Sequence, residues 1–405
     1  MPLNSHLLAL ALLLASSTAL AASFEQTTDG VIVTPAAAPA RKVRIEVIAP
    51  NVMRVTAFPQ DSTALPASLM AVRTAGEPTK FAANEKNGTI VLSTKRLTAE
   101  IAQTSGRVTF RNERGDVVLA EAVAGRAFTP VTVEGKPFYS IRQQFESPAD
   151  EAFYGLGQHQ SGRVNHKNED VELAQHNMDI GIPFLVSSRN YGILWDNNSI
   201  TRFGDPRPWQ PLNQTLQLYD AKGAPGGLTA TYFVDGEQKL TRTESDLDYQ
   251  YLSTRAAHFP AALNKVRNVK VIWEGRIEAQ TPGRHTFTLY ASDYNKLWID
   301  GRLIIDAWRQ NWNPWYRDFS VDLQAGKPRT IRIEWTSPTE GAYLALQHRD
   351  PLPLTERNNL SLWSEVGNAI DYYVVTGANA DEVIAGYRLV TGKSTILPKW
   401  AYGFW

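Results

Sequence analysis

The chain has 405 residues, room for two to four domains at roughly 100–200 residues each. Its 43% hydrophobic and 20% charged residues exclude global disorder, and 41 basic against 41 acidic side chains give no electrostatic reason to expect nucleic acid or an anionic membrane as partner. The absence of cysteine excludes disulfides and cysteine metal sites.

The first predicted element is a leader. Residues 6–15 are a short apolar core, followed by Ser16, Ser17 and Thr18 and then by Ala19-Leu20-Ala21, a small-residue cleavage site. This predicts a secretory signal peptide over residues 1–21, although no Lys or Arg precedes the core. The core is too short to span a bilayer, and no later segment has 18 consecutive apolar residues. Export to the periplasm or beyond is expected, with no membrane partner.

From Val43 the pattern is β. Val43, Ile45 and Val47 alternate with Arg44 and Glu46, Ala49-Pro50-Asn51 turns the chain, and Met53, Val55 and Ala57 alternate back. Ala36-Ala37-Ala38-Pro39-Ala40, just before, reads as a loop. Leu97, Ala99 and Ile101 repeat the alternation, Ser105-Gly106 turns it, and Val108 and Phe110 return before a further turn at Glu113-Arg114-Gly115-Asp116. Many short strands with regular turns predict a β-sandwich. Residues 165–179 are polar and without period, a long loop of the kind that often carries function. Strands resume at Phe184-Leu185-Val186 and at Gly192-Ile193-Leu194-Trp195.

Two junctions stand out, Ala221-Lys222-Gly223-Ala224-Pro225-Gly226-Gly227 and Asp350-Pro351-Leu352-Pro353-Leu354. The strand-rich segment between them, 227–349, reads as a module inserted into the sandwich, whose strands return at Leu360-Ser361-Leu362-Trp363 and over residues 370–375. Asn379 then caps a helix, with Glu382 three residues on, an apolar face of Val383, Ile384, Tyr387 and Val390, and Gly392 as its stop. Pro398 opens a short aromatic strand that runs to Trp405.

Several blocks in order resemble glycoside hydrolase family 31, the family of α-glucosidases and α-xylosidases. They are Ile370-Asp371-Tyr372-Tyr373-Val374-Val375-Thr376-Gly377, Glu382-Val383-Ile384, Gly386-Tyr387-Arg388-Leu389 and Thr391-Gly392-Lys393, then residues 398–405. Upstream, Phe153-Tyr154-Gly155-Leu156-Gly157-Gln158, Pro183-Phe184, Ser187-Ser188, Tyr191-Gly192 and Trp195-Asp196-Asn197 are similar to the family's sandwich motifs. The resemblance implies a mainly β fold: a galactose-mutarotase-like sandwich over residues 22–226 and 350–378, with Tyr372 and Tyr373 as core. A linker helix and the first strand of a truncated (β/α)8 barrel follow over 379–405. It also implies a retaining α-glycosidase whose two catalytic aspartates lie on later barrel strands, beyond Trp405. No catalytic residue is assigned in this chain.

The insert resembles the protective-antigen module of lectins, toxins and glycosidases, through Gly227-Leu228-Thr229-Ala230-Thr231-Tyr232-Phe233, Trp273-Glu274-Gly275-Arg276-Ile277, Gly283-Arg284-His285-Thr286-Phe287, Ala291-Ser292-Asp293 and Leu297-Trp298-Ile299-Asp300-Gly301. Lectin-type members of that family hold calcium with a pair of aspartates. Here Tyr294-Asn295 follows Asp293, and losing one carboxylate weakens a hard-cation site. What remains is aromatic: Trp308, Trp312, Trp315 and Tyr316, around Asn311, Asn313 and Pro314, are the candidate sugar-binding residues, against the plainer reading of a loop folded over its own core. His159, His166 and His176 fit no metal spacing, and no phosphate loop is present, so no metal or cofactor is expected. An insert of this type with an export signal looks most like an α-xylosidase acting on xyloglucan oligosaccharides, with an α-glucosidase as alternative. A stand-alone carbohydrate-binding protein is the alternative of another class, disfavoured by the 398–405 block.

Overall fold

The computed structural model describes residues 23–72, 78–159, 161–175, 179–251, 259–263, 266–307, 314–338 and 342–402. The predicted leader lies outside them. The chain divides into two compact units, Met1–Pro206 with Asn358–Trp405, and Arg207–Arg357. Among the described residues no helix is long and apolar enough to cross a membrane.

The first unit consists, among the described residues, of an eight-stranded and a nine-stranded sheet. The predicted hairpin forms as Lys42–Ala49 and Val52–Phe58, with Val43 opposite Ala57, Ile45 opposite Val55 and Val47 opposite Met53. The alternation works as expected: Val43, Ile45, Met53, Val55 and Ala57 are fully buried. The second predicted hairpin pairs Leu97–Ala102 with Val108–Asn112, and Gly106 takes a left-handed φ of 65° at its turn. Strand Ile370–Thr376, from beyond the insert, lies in the middle of the eight-stranded sheet, between Val52–Phe58 and Tyr191–Trp195. Leu360–Gly367 likewise lies inside the nine-stranded sheet, between Lys136–Glu146 and Thr201–Phe203. Tyr372 and Tyr373 are buried, as the sequence predicts.

Helix Ala380–Thr391 packs on this unit. The Asn379 side chain accepts the Glu382 amide at 3.0 Å, while the Glu382 carboxylate accepts the Ala378 amide at 3.2 Å and Arg96 Nη2 at 2.5 Å. Its buried face is Val383, Gly386 and Val390, with Tyr387 stacked on Phe184 at 4.1 Å. Ile384, expected on that face, is 43% exposed. Gly386 takes the place because a Cβ there would lie 2.3 Å from Val375 Cγ1, so the Val375 side chain packs directly on the helix backbone.

Other expectations need correction. The compact unit that contains the insert, Arg207–Arg357, extends beyond 227–349 at both ends, because Gln210–Pro211 pairs with Ala342–Arg349 and Leu216–Tyr219 pairs with Val269–Ala279. The polar stretch 165–179 is not all loop: Val171–Leu173 pairs with Thr201–Phe203. Residues 399–402 form a 3-10 turn, not a strand. A strand needs a neighbour to accept its backbone bonds, and among the described residues none pairs with this segment.

The insert unit has, among its described residues, two sheets around one core that includes Trp273 and Trp335. Its buried polar centre is the carboxylate of Glu244, which accepts Trp273 Nε1 at 2.6 Å, Tyr249 Oη at 2.7 Å, Arg242 Nε at 2.6 Å and the Tyr232 hydroxyl. We expect Glu244→Leu to destabilise this unit by about 3–5 kcal/mol in denaturant melts, because it strands those donors. Tyr372→Phe, which removes a 2.8 Å bond to Glu121, should cost the sandwich about 1.5–3 kcal/mol. Residues 207–357 expressed alone should melt cooperatively, since core and polar centre are internal to them; a featureless near-ultraviolet spectrum would contradict this.

Candidate functional site

Of the aromatic candidates, Trp315 and Tyr316 lie on an edge strand of the insert. Trp308 and Trp312 lie outside the described residues. Trp315 opens strand Trp315–Leu323 opposite Ala291, and Tyr316 pairs with Tyr290. Side chains alternate along a strand, so Trp315 shares a face with Phe319, which stacks on Phe287 at 5.0 Å, while Tyr316 points to the other face. Tyr316 is 57% exposed and stacks on Tyr290, with ring centroids 4.2 Å apart and planes at 24°. Tyr343 meets Tyr290 edge-on at 5.1 Å. Burial, then the neighbouring Tyr343 hydroxyl, push the Tyr290 phenol up, so it stays protonated. Three tyrosines on three adjacent strands make an aromatic cluster in which Tyr290 and Tyr316 stack on each other and Tyr343 stands edge-on, so the exposed Tyr316 ring is the surface it offers to the face of a pyranose ring.

The Ser292-Asp293 corner lies at the same end of the sheet, since Ala291 is the partner of Trp315. Asp293 is buried with a left-handed φ of 60°. Ser292 Oγ donates to its carboxylate at 3.1 Å, and Asn295 Nδ2 donates to its carbonyl at 3.2 Å. Trp335 Nε1 donates to the Ser292 carbonyl at 3.1 Å. The corner therefore presents one carboxylate where a hard cation wants several oxygens. Asn295 Oδ1 is buried without a hydrogen-bond partner.

In the sandwich, the Phe153-Tyr154-Gly155-Leu156-Gly157-Gln158 block has a steric origin. Gly157 has φ 104°, and a Cβ there would sit 1.8 Å from the Ile180 carbonyl oxygen across the strand pair. Buried Leu156 holds a left-handed φ of 62°. The strand leads into His159 and His166, whose rings meet edge-on at 6.3 Å. His159 Nε2 bonds the Leu156 carbonyl at 2.9 Å, and burial, helped by His159, pushes His166 down, so it is neutral. His176 lies outside the described residues.

One cluster escaped the sequence. His285 and His348, both fully buried, stand with Nδ1 and Nε2 2.9 Å apart, and Asp350 Oδ1 is 3.7 Å from His285 Nδ1. With the histidines 63 positions apart in sequence, no local spacing signals the pair; only the register of two strands does.

Comparison with known proteins places these units. Residues 42–203 match the family model of the glycosyl hydrolase 31 N-terminal galactose mutarotase-like domain, and residues 224–351 match the PA14 domain. The crystal structure of a family 31 α-xylosidase from Xanthomonas citri is 50% identical with a TM-score of 0.87, over 94% of this chain and 41% of that one. The α-xylosidase of Saccharolobus solfataricus is 22% identical over 372 residues, 90% of this chain and 30% of that protein. An α-xylosidase from a soil metagenome, solved with xylose, shares the fold at 18% identity and TM-score 0.50, over 95% of this chain and 36% of its own. The chain thus spans less than half the length of each of these proteins.

The Gly157 contact yields a direct test. Gly157→Ala should destabilise the sandwich by about 2–4 kcal/mol in denaturant unfolding, because the clash is with backbone and φ is positive. An unchanged midpoint would mean that the strand pair has room to part.

Proposed function

We propose that this chain, which carries the N-terminal domain of glycosyl hydrolase family 31 with a PA14 module set into it, is the front part of a retaining α-glycosidase, specifically an exported α-xylosidase acting on xyloglucan oligosaccharides. The observation that carries this reading is the 50% identity to the Xanthomonas citri α-xylosidase over 94% of the chain.

A retaining glycosidase needs two carboxylates roughly 5 Å apart across the scissile bond, one as nucleophile and one as acid/base. The most buried acids described here already serve structural partners: Glu121 holds Arg126 and Tyr372, Glu46 holds Arg44 and Arg54, Glu151 accepts Ser147, Glu244 holds Trp273 and two tyrosines, and Asp371 holds Arg54 at 2.9 and 2.5 Å. None is assigned to catalysis. In this reading the chemistry falls to a (β/α)8 barrel after helix Ala380–Thr391, and the sandwich supports it. The insert holds the oligosaccharide at the edge formed by Trp315 and Tyr316, with Trp308 and Trp312 just before them in the sequence, through stacking and without calcium.

Two experiments test the reading. Aryl α-xyloside and aryl α-glucoside are offered to this chain alone and to a protein that continues for a barrel's length. The chain alone should show no turnover above buffer, and the longer protein should prefer the xyloside. A preference for glucoside would make it an α-glucosidase; binding with no turnover in the longer protein would make it a carbohydrate-binding protein. For the insert, calorimetry with xyloglucan oligosaccharides compares wild type with Trp312→Ala, Trp315→Ala and Tyr316→Ala. Loss of a stacking platform should cost about 1–2 kcal/mol, roughly 5–30-fold in Kd. Affinity untouched by all three substitutions, or restored to chelated protein by calcium, would reject the calcium-free aromatic edge.

A further inference from the structure

The register that brings the two insert histidines together also brings the aspartate. In the ladder between Gly283–Ala291 and Ala342–Arg349, Phe287 faces His348 and Thr286 faces Arg349. One step further sets His285 opposite Asp350. Alternation then puts 285, 348 and 350 on one face. One ligand atom from each of the three lies within 4.8 Å of the others. Two nitrogens bound to one tetrahedral zinc at about 2.0–2.1 Å are themselves about 3.3 Å apart. The 2.9 Å between His285 Nδ1 and His348 Nε2 is a few tenths of an ångström from that.

Hydrogen bonding on the far side of each ring favours convergent lone pairs. His285 Nε2 is 2.9 Å from the Thr281 carbonyl, which only accepts, so the proton sits on Nε2 and Nδ1 carries a lone pair. His348 Nδ1 is 2.7 Å from Thr215 Oγ1, and that hydroxyl is 3.4 Å from the Leu212 carbonyl. If the hydroxyl donates to Leu212 it accepts from His348 Nδ1, and His348 Nε2 also carries a lone pair. Two lone pairs 2.9 Å apart repel, and because the rings lie nearly in one plane with centroids 5.1 Å apart, a cation bound to both enters only as one ring swings aside by a few tenths of an ångström. If the hydroxyl instead turns to His348, the Nε2 proton bridges the two rings. One rotor thus selects between a proton and a metal. Carbonyl and hydroxyl partners of this kind orient the imidazoles of metal sites. Burial, above all, pushes both histidines down, so both are neutral, the form that ligates. Asp350, with its side chain 42% exposed, supplies the negative charge and leaves the solvent side open to a fourth ligand. Arg207 Nη2 donates to the Asp350 carbonyl at 2.7 Å and fixes the backbone that carries the carboxylate.

We propose that His285 Nδ1, His348 Nε2 and Asp350 Oδ1 form a site for a zinc-class divalent cation, which ties together the incoming and outgoing ends of the inserted module. Two imidazoles and one carboxylate suit zinc, cobalt, nickel or copper rather than calcium. The segments it joins are the short helix Leu212–Thr215, through Thr215, the start of strand Gly283–Ala291, and the end of strand Ala342–Arg349.

The test uses the full chain without a polyhistidine tag, stripped with chelator and dialysed. Calorimetry with Zn²⁺ should show one ion bound per chain at micromolar Kd or tighter, with a rise in the melting temperature of the insert unit. Co²⁺ should give the visible absorption of a four-coordinate nitrogen–oxygen site. Asp350→Asn, at a partly exposed position, should weaken Zn²⁺ by at least about tenfold, and His348→Gln should abolish the cobalt spectrum. His159→Gln, in the other unit, should change nothing. No saturable Zn²⁺ uptake by wild type would overturn the proposal, leaving a proton-bridged histidine pair. So would uptake that survives Asp350→Asn undiminished, or that is lost in His159→Gln.

Discussion

Strand Ile370–Thr376 is the constraint on which the sandwich depends. It is central in its sheet, all seven residues are buried, and it arrives after the insert. Without it, Val52–Phe58 and Tyr191–Trp195 would each present an open edge, which is costly in backbone hydrogen bonds. Its inner face also ties the two sheets together: Tyr372 packs edge-on against Phe145 at 5.1 Å and donates to Glu121 at 2.8 Å. The chain must therefore leave and come back without spreading its stems. On the sandwich side, Gly204 N donates to the Ser361 carbonyl at 3.0 Å, and on the insert side Arg207 bonds Asp350. A domain whose ends are held together can sit in a loop without disturbing its host.

Each unit carries a deeply buried carboxylate hub, Glu121 in the sandwich and Glu244 in the insert. Glu121 accepts Arg126 Nη2 at 2.6 and 2.8 Å, the Val108 amide at 2.9 Å and Tyr372, while Glu244 plays the same part beneath Trp273. Burying charge is expensive, and a hub of this kind gains little over a well-packed apolar core. Its effect is on specificity. Each donor comes from a different strand, so the full set of bonds forms in one register alone. In a β-rich chain, where a slip by one residue would turn a strand inside out, that is a useful lock.

The sequence was legible where strands alternate cleanly over a two-sided environment, as in Lys42–Ala49, and where a cap has its own chemistry, as at Asn379. It was less legible where the pattern is short or diluted. Leu216–Tyr219 has four residues, too few for a period, so the sequence gives no sign that this strand joins the compact unit of the insert. Val117–Val133 runs for 17 residues, but a left-handed Ala124 and a register shift near Gln143 break its alternation. Ile384 misled because an apolar residue beside a helix's buried stripe looks like part of it. The aromatic edge was visible in composition, yet Tyr290 and Tyr343, which complete the platform, gave no signal until cross-strand pairing placed them beside Tyr316.

The insert's two candidate features share strand Gly283–Ala291. His285 stands near its start, and Ala291, beside Trp315, at its end. Six residues of extended chain separate them by about 20 Å, so they are chemically independent and mechanically connected. A cation at the base would rigidify the strand that presents the tyrosine platform at the tip without touching a sugar. Chelator sensitivity of sugar binding is then ambiguous by itself. Calcium acting at Asp293 would contribute to the contact, and zinc acting at His285 would contribute only to the folded population of the module. The two separate by which ion restores binding, and by whether the restored binding follows the melting temperature of the insert. Because Asp293 stands with Asn295 rather than a second carboxylate, the base of the strand is the better-equipped end for a metal, and in the proposed reading the tip works through aromatic stacking.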